Sequence, residues 1–227
     1  MADPPVTDAS RRLARRLAAD SIARGDDTGW FETLYAAAEQ GTTTVPWADF
    51  APYPRLVSAL SGFSGPGRAL VVGCGLGDDA EHVASLGFAT VAFDVSPTAI
   101  AAARRRFLRS RVEYVAADLL SPPRSWTGSF DLVVEVFTLQ VLTGAARRNA
   151  IARVAQLVAP GGRLLVIARA REEHETPGEM PWPLTRAEIE SFREYGLAEQ
   201  SIVDFVDDED RGPARRWRAW FTAPQAV

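Results

Sequence analysis

The stretch that decides the fold runs from residue 70 to residue 97 and reads LVVGCGLGDDAEHVASLGFATVAFDVSP. It begins with a short apolar run, continues through three glycines at alternate positions, and then takes on the pattern of an amphipathic helix. A second apolar run follows and ends at Asp94. A strand, a glycine turn, a helix and a second strand in this order predict a β-α-β unit whose turn holds a nucleotide-like ligand.

The alternation of strands and helices continues along the chain. The pattern predicts strands at residues 69–72, 90–93, 111–116, 130–134, 163–169, 197–205 and 216–222. It predicts helices at residues 10–23, 28–40, 52–60, 79–86, 97–108, 144–158 and 186–195. The last two strands follow each other directly, which predicts a hairpin with an acidic turn at residues 207–212. The fold class is therefore α/β, with a mostly parallel sheet and helices on both faces.

The glycine loop departs from the dinucleotide fingerprint at its third glycine. Counting from Gly73 and Gly75, the next glycine should stand where the sequence has Asp78, and Asp79 follows it. Two carboxylates suit the dipole of a helix N-terminus but would repel a diphosphate bound there. The loop therefore favours a nucleoside ligand that has no phosphate and is cationic, and S-adenosylmethionine fits that description.

With these motifs the chain resembles the class I S-adenosylmethionine-dependent methyltransferases. The resemblance is carried by VVGCGLGDD, VAFDVSPTAI, AADLL, FDLVVEVFTLQVL and LVAPGGRLLVIA, in the family's order. It implies a Rossmann-like, seven-stranded sheet in the order 3-2-1-4-5-7-6, in which Asp94 holds the ribose and Asp118 accepts from the adenine amino group. The core residues that it assigns to the cofactor are Gly73, Cys74, Gly75, Gly77, Asp94, Val95, Asp118, Leu119, Glu135, Val136 and Phe137.

The N-terminal segment carries a second resemblance. Trp30 and Tyr35 stand five residues apart and precede Trp47 in a Pro-Trp pair, which resembles the thiopurine, thiol and halide methyltransferases. The resemblance implies that this aromatic segment covers the cofactor, so Trp30, Tyr35 and Trp47 are predicted cofactor contacts. It divides the chain into a helical lid at residues 1–62 and a methyltransferase core at residues 63–227, within one structural domain. Packing of the three rings on the core is the alternative.

The acceptor is expected to contact residues near the ends of the core. Trp182 lies between two prolines, Arg169 ends the fifth strand, and both join Trp47 and Phe137 as candidate substrate-binding residues. The chain has no lysine, and no Asn/Asp-Pro-Pro-Tyr/Phe follows the fourth strand. In-line displacement by an acceptor that is already nucleophilic needs alignment more than acid–base groups. The sequence therefore favours S-methylation of a small thiol or thio-heterocycle.

Two other functions stay open. O- or N-methylation of a heteroaromatic or phenolic natural product would need a base, for which Glu135 and His174 are the candidates. A non-catalytic S-adenosylmethionine-binding module is the more distant alternative. A dehydrogenase is disfavoured by Asp78.

Composition limits the partners. The 25 basic and 29 acidic residues give a net charge of −4, which argues against a nucleic-acid binder. The single cysteine excludes an intramolecular disulfide and, with no secretory signal and no apolar run of membrane-spanning length, favours the cytoplasm. We expect a monomer or homodimer that acts on a small molecule, away from membranes, and holds no metal.

Overall fold

The computed structural model describes residues 7–209 and 212–225. Its helices are α1 Asp8–Ala23, α2 Trp30–Glu39, α3 Pro54–Ala59, α4 Asp78–Ser85, α5 Pro97–Arg106, α6 Gly144–Leu157 and α7 Arg186–Glu190. Its strands are β1 Arg68–Val72, β2 Ala89–Asp94, β3 Glu113–Ala116, β4 Phe130–Val136, β5 Val158–Arg169, β6 Ala198–Glu209 and β7 Gly212–Thr222. Short 3-10 helices lie at Arg124–Trp126, Leu139–Val141 and Ser191–Tyr195.

The strands form one seven-stranded sheet in the order β3-β2-β1-β4-β5-β7-β6. The pairs β2–β3, β1–β4 and β4–β5 are parallel, whereas β5–β7 and β6–β7 are antiparallel. The predicted fold class and strand order are therefore confirmed, including the antiparallel hairpin at the end of the chain.

The first of two compact units consists of Gly73–Asp118 and the described part of Met1–Gly65. In it α1 packs against α2, α2 packs against α5, and both α4 and α5 pack against β2. The buried face of α1 is made of small side chains, at Ser10, Ala14, Ala18 and Ser21. Helix α5 starts with Ser96 as its N-cap and Pro97 in its first turn, the preferred residues there.

The second unit consists of Pro66–Val72 and the described part of Leu119–Val227. Strand β1 buries four consecutive apolar residues, as expected of a strand covered on both faces. Helix α6 packs against β4 and β5. None of the helices at positions 7–209 and 212–225 combines the length and hydropathy that a membrane span requires. The predicted division into a lid at 1–62 and a core at 63–227 stays a prediction.

Some element boundaries differ from the predicted ones for local reasons. Strand β5 begins at Val158 rather than residue 163, and an added Cβ at Gly162 would lie 2.8 Å from the carbonyl oxygen of Phe130, so only glycine fits there. The helix predicted to reach residue 195 becomes 3-10 from Ser191 and is followed by Gly196 at φ 87°. Part of the predicted 207–212 turn is strand through Glu209, and Asp210 and Arg211 lie outside the described residues.

Candidate active site

The glycine loop before α4 has a left-handed backbone at each of its glycines. The φ angle is 60° at Gly73, 51° at Gly75 and 96° at Gly77. Residues with a Cβ rarely adopt such angles. Space is also short, because an added Cβ would lie 2.9 Å from the Tyr35 hydroxyl at Gly75 and 2.5 Å from the Tyr114 hydroxyl at Gly77. The loop requires glycine at both positions for its backbone and for its packing.

Helix α4 begins with two carboxylates that other segments hold in place. Arg106 donates to both oxygens of Asp78, at 2.6 and 2.8 Å, and to the carbonyl of Leu76 at 2.7 Å. Asp79 accepts the backbone N–H of Tyr53 at 2.8 Å, and burial raises the pKa of Asp79 to about 6. The first turn of α4 thus carries carboxylates where an anion would otherwise bind, which is unfavourable for a diphosphate.

Asp94 ends β2 as a buried carboxylate tied to the glycine loop and to α5. Its Oδ2 accepts the N–H of Gly75 and its Oδ1 accepts the N–H of Ser96, both at 3.0 Å. Burial raises the pKa of Asp94 to about 6, and backbone hydrogen bonds from Ser96, Gly75 and Val95 oppose that shift. A carboxylate has about four acceptor sites, so Asp94 keeps capacity for a hydroxyl donor. The N–H of Ala117 donates to the Asp94 carbonyl at 3.0 Å, which brings Asp118 close to this strand end.

Four aromatic side chains of the N-terminal segment, Trp30, Phe31, Tyr35 and Trp47, form one aromatic cluster. Trp30 stacks on Phe31 with centroids 3.8 Å apart, and Trp47 meets both rings edge-on at 6.0 Å. The indole N–H of Trp47 donates to the Tyr35 hydroxyl at 3.0 Å. Trp30 and Tyr35 are buried, whereas Trp47 is 40% exposed. The structure thus brings the three predicted lid aromatics together, with Tyr35 against the glycine loop.

The aromatic cluster contains one buried polar atom that makes no hydrogen bond within the described residues. The indole nitrogen Nε1 of Trp30 is buried and has no hydrogen-bond partner among the residues described. A buried donor without an acceptor costs about 1–3 kcal/mol. Such an atom is a place where a ligand oxygen would be favourable.

The other predicted cofactor residues in this region differ in how deeply they are buried. Val95 and Asp118 are half-buried, and Leu119 is buried in the second unit. Burial raises the pKa of the Cys74 thiol well above its usual range. The thiol therefore stays protonated at neutral pH, which suits a space-filling role rather than a nucleophile.

In the second unit, Glu135 lies on β4 and is fully buried. Its Oε1 accepts the N–H groups of Thr138 at 2.7 Å and Leu139 at 2.9 Å. Its Oε2 has no partner in the part of the chain that the structure describes. Burial raises the pKa of Glu135 to about 7, and these backbone hydrogen bonds oppose the shift. The side chain braces the turn that follows β4.

That turn holds Phe137 in a strained conformation. Its φ is 65°, uncommon for a residue with a side chain, while its N–H donates to the Ile167 carbonyl at 2.9 Å. The guanidinium of Arg216 lies 5.1 Å from the centroid of the Phe137 ring. The half-buried Val136 precedes it at the end of β4. The backbone bond to Ile167 and the guanidinium of Arg216 therefore favour this conformation of Phe137.

Two buried polar residues that sequence reasoning missed organise the candidate acceptor residues. Gln140 accepts the N–H of Arg169 at its Oε1, at 2.8 Å, and the N–H of Trp182 at its backbone carbonyl, at 2.7 Å. Arg147 on α6 donates to the carbonyl of Trp182 at 2.9 Å and to Glu188 at 2.7 Å. Gln140 could have been suspected as an amide inside an apolar run, whereas Arg147 looks like any solvent-facing arginine of a helix.

Two features remain to be described, the candidate base His174 and a cavity. His174 is exposed on the segment after β5. A cavity of about 340 Å³ lies in the first unit beside α2 and α5, with Tyr35 in its wall. Its other lining residues are Ala38, Glu39, Thr43, Thr44, Val45, Ala48, Phe50, Leu76, Thr98, Ala102, Arg105 and Arg106.

Known proteins resemble this chain in sequence and in fold. A family model described as a methyltransferase domain matches residues 69–162. The probable thiol methyltransferase 2 of Arabidopsis thaliana is 28% identical over 199 residues, which cover 86% of this chain and 83% of that protein. The 2-heptyl-1-hydroxyquinolin-4(1H)-one methyltransferase of Mycobacteroides abscessus is 23% identical over 163 residues, covering 70% of this chain and 72% of that protein.

A solved structure covers nearly the whole chain. The N-methyltransferase NodS from Bradyrhizobium japonicum WM9, in complex with S-adenosyl-L-homocysteine, has a TM-score of 0.61 and 24% identity, and the match covers 96% of this chain and 100% of that one. The matched domain, the strand order and the relatives agree with one another. Together they support a class I S-adenosylmethionine-dependent methyltransferase and are consistent with S-adenosylmethionine as its cofactor.

Proposed function

We propose that this methyltransferase acts on the sulfur of a small thiol or thio-heterocycle. The observation that carries the proposal is the burial of Glu135, which is fully enclosed and already accepts two backbone N–H groups. A carboxylate in that setting braces the chain and is poorly placed to take a proton from an acceptor. A thiol has a pKa of about 8.5, below the value of about 10 for a phenol, so a fraction is thiolate at neutral pH and can react without a base. Similarity to the probable thiol methyltransferase 2 of Arabidopsis thaliana adds support.

The cofactor fits the groups of the first unit. The Trp30 Nε1–H is a buried, unused donor that suits the carboxylate of the methionine portion. Asp94 can accept ribose hydroxyls at both oxygens, and Asp118 lies near the same strand end. Bound S-adenosylmethionine supplies an electrophilic methyl group on a positively charged sulfur.

The aromatic cluster then has two roles at this site. Indole faces attract a cation by about 0.5–2 kcal/mol each, so Trp30 and Trp47 favour a sulfonium over a neutral thioether. Their bulk also excludes water, which would otherwise hydrate a thiolate and weaken it as a nucleophile. In this proposal residues 1–62 act as the cover of the cofactor.

For the acceptor we propose Phe137, Arg169 and Trp182. Gln140 holds the backbones of Arg169 and Trp182, and Arg216 holds the ring of Phe137. An aromatic and cationic lining suits an aryl thiolate, which is flat and anionic. The side chains align the acceptor, so displacement at the methyl group needs little further catalysis.

One observation favours a second candidate. If an acceptor reached Oε2 of Glu135, which has no partner among the described residues, the raised pKa of about 7 would suit a general base near neutral pH. O- or N-methylation of a heteroaromatic or phenolic acceptor, as the name of the Mycobacteroides relative suggests, would use such a group.

Methyl transfer from labelled S-adenosylmethionine to matched acceptors tests the proposal. The panel pairs an aryl thiol with the corresponding phenol and aniline, and adds hydrosulfide and a hydroxyquinolone. We expect the thiols to react at least tenfold faster in kcat/KM, and Glu135→Gln to retain thiol turnover. Faster turnover of the phenol or the hydroxyquinolone, abolished by Glu135→Gln, would establish the second candidate instead.

A further inference from the structure

Glu32 on α2 holds the first turn of α5 with three hydrogen bonds. Its Oε2 accepts the Ser96 hydroxyl at 2.5 Å and the N–H of Thr98 at 3.1 Å, and its Oε1 accepts the Thr98 hydroxyl at 2.6 Å. Helix α5 has no acidic residue in its own first turn. Glu32 therefore supplies, from another helix, the carboxylate that a helix N-terminus favours.

Ser96 connects Glu32 to the carboxylate that we assign to the ribose. Its hydroxyl caps α5 by accepting the N–H of Ala99 at 3.0 Å, while its own N–H donates to Oδ1 of Asp94 at 3.0 Å. A continuous chain of hydrogen bonds thus runs from Glu32 through Ser96 to Asp94. A shift of Glu32 would move the cap, and with it the Ser96 N–H bond that helps to orient Asp94.

The same helix reaches Asp94 by a second route. Tyr35, one turn after Glu32 on α2, places its hydroxyl against Gly75, whose N–H donates to Oδ2 of Asp94. Trp30 precedes Glu32 by two residues. Each oxygen of Asp94 is therefore linked to α2, one through Ser96 and the other through Gly75.

The charge state of Glu32 is suited to this role. Burial works to raise the pKa of Glu32, but the hydrogen bonds from Ser96 and Thr98 outweigh burial and leave the pKa below its ordinary value. The side chain is therefore an anion at neutral pH, and each of its bonds is a charge-assisted one.

We propose that Glu32 is a positioning residue for cofactor binding: its bonds to Ser96 and Thr98 hold the aromatic cluster and Asp94 in one arrangement before the cofactor arrives. The proposal rests on the proposed function, in which Trp30 and Asp94 contact the cofactor. The consequence is specific, because loss of Glu32 should weaken the binding of the cofactor and leave the binding of the acceptor unchanged.

The test compares Glu32→Gln with a matched control on the same helix. Glu39 also lies on α2 and also bonds α5, through Arg105 at 2.7 Å, but both partners are about half exposed and remote from Ser96. We expect Glu32→Gln to raise the Kd for S-adenosylhomocysteine about 5- to 20-fold by calorimetry, and Glu39→Gln to change it less than twofold. At saturating cofactor, the acceptor KM of both variants should match the wild type. Thr98→Val, which removes one bond, should give a smaller increase.

A double-mutant cycle separates positioning from general destabilisation. If Glu32 acts through Asp94, the effect of Glu32→Gln should shrink to less than twofold in an Asp94→Asn background, since coupled residues are not additive. Full additivity, or an unchanged Kd in Glu32→Gln and Thr98→Val, would overturn the role of Glu32. Absence of S-adenosylhomocysteine binding by the wild type, or no effect of Asp94→Asn, would instead overturn the proposed cofactor contacts.

Discussion

Replacing Gly75 with alanine tests whether the glycine loop and the aromatic cluster are packed as one unit. Gly75 has a φ of 51°, and an added Cβ would lie 2.9 Å from the Tyr35 hydroxyl oxygen. Tyr35 cannot withdraw freely, because it is buried and its hydroxyl accepts the Trp47 indole N–H at 3.0 Å. The substitution therefore creates both backbone strain and a steric conflict.

The two costs can be estimated separately. A residue with a Cβ in the left-handed region costs about 1–2 kcal/mol. Movement of the Tyr35 hydroxyl breaks the bond from Trp47, whose net contribution is about 0.5–1.5 kcal/mol. Gly75→Ala should therefore lower the free energy of unfolding by about 1.5–3.5 kcal/mol, of which the second part is due to Tyr35.

The chain offers a control for the backbone part alone. Gly25 has a φ of 79°, and an added Cβ there would meet nothing within 4 Å. Gly25→Ala should thus show only the first cost, measured by urea unfolding followed by tryptophan fluorescence. In a Tyr35→Phe background, where the obstructing oxygen is absent, the cost of Gly75→Ala should fall to that of Gly25→Ala.

Equal destabilisation by Gly75→Ala and Gly25→Ala in the wild-type background would refute the packing argument. So would a cost of Gly75→Ala that is undiminished when Tyr35 is replaced by phenylalanine. Either result would mean that the aromatic cluster does not rest against the loop in solution.

Three further predictions concern single side chains. Trp30→Phe removes a buried indole donor that has no partner among the described residues, which offsets part of the cost of the lost ring volume, while the Kd for S-adenosylhomocysteine should rise; an unchanged Kd would contradict this. The folded-state pKa of Asp94 is about 6, above the unfolded value of 3.8, so the native state binds more protons and the wild type should lose stability as pH rises from about 4 to 6. Because the pKa values of Asp79 and Glu135 are also raised, Asp94→Asn should remove part of this dependence in urea titrations, and an unchanged slope would contradict the assignment. Gln140→Leu leaves the Arg169 N–H without its Gln140 acceptor, so it should cost about 1–3 kcal/mol of stability and raise the acceptor KM, with the exposed Gln200→Leu as the control.

Much of the fold follows from local patterns in the sequence. Short apolar runs between amphipathic segments predict each strand and helix, and the Ser96-Pro97 pair predicts where α5 begins. The order of the strands follows from the family resemblance of those motifs, and the sheet confirms it. The need for glycine at positions 75 and 77 is also local, because the turn requires positive φ.

The sequence also points to an aromatic N-terminal segment, but not to its geometry. Trp30, Tyr35 and Trp47 could equally have been separate core residues, since burial alone accounts for aromatic side chains on a helix. Only the tertiary structure shows that Trp47 bonds Tyr35, that Tyr35 rests on Gly75, and that the Trp30 nitrogen finds no partner in the described part of the chain.

What the tertiary structure alone decided is the set of polar side chains that orient the site. Glu32 lies 64 residues from Ser96, and Arg147 lies 35 residues from Trp182, so no periodicity or spacing links them. Helix and strand propensity, capping and turn formation act over a few residues, so they can be predicted from the local sequence. A buried hydrogen bond between distant segments exists only once the core has brought their backbones together, and Glu32 or Arg147, read alone, is an ordinary charged residue on a helix.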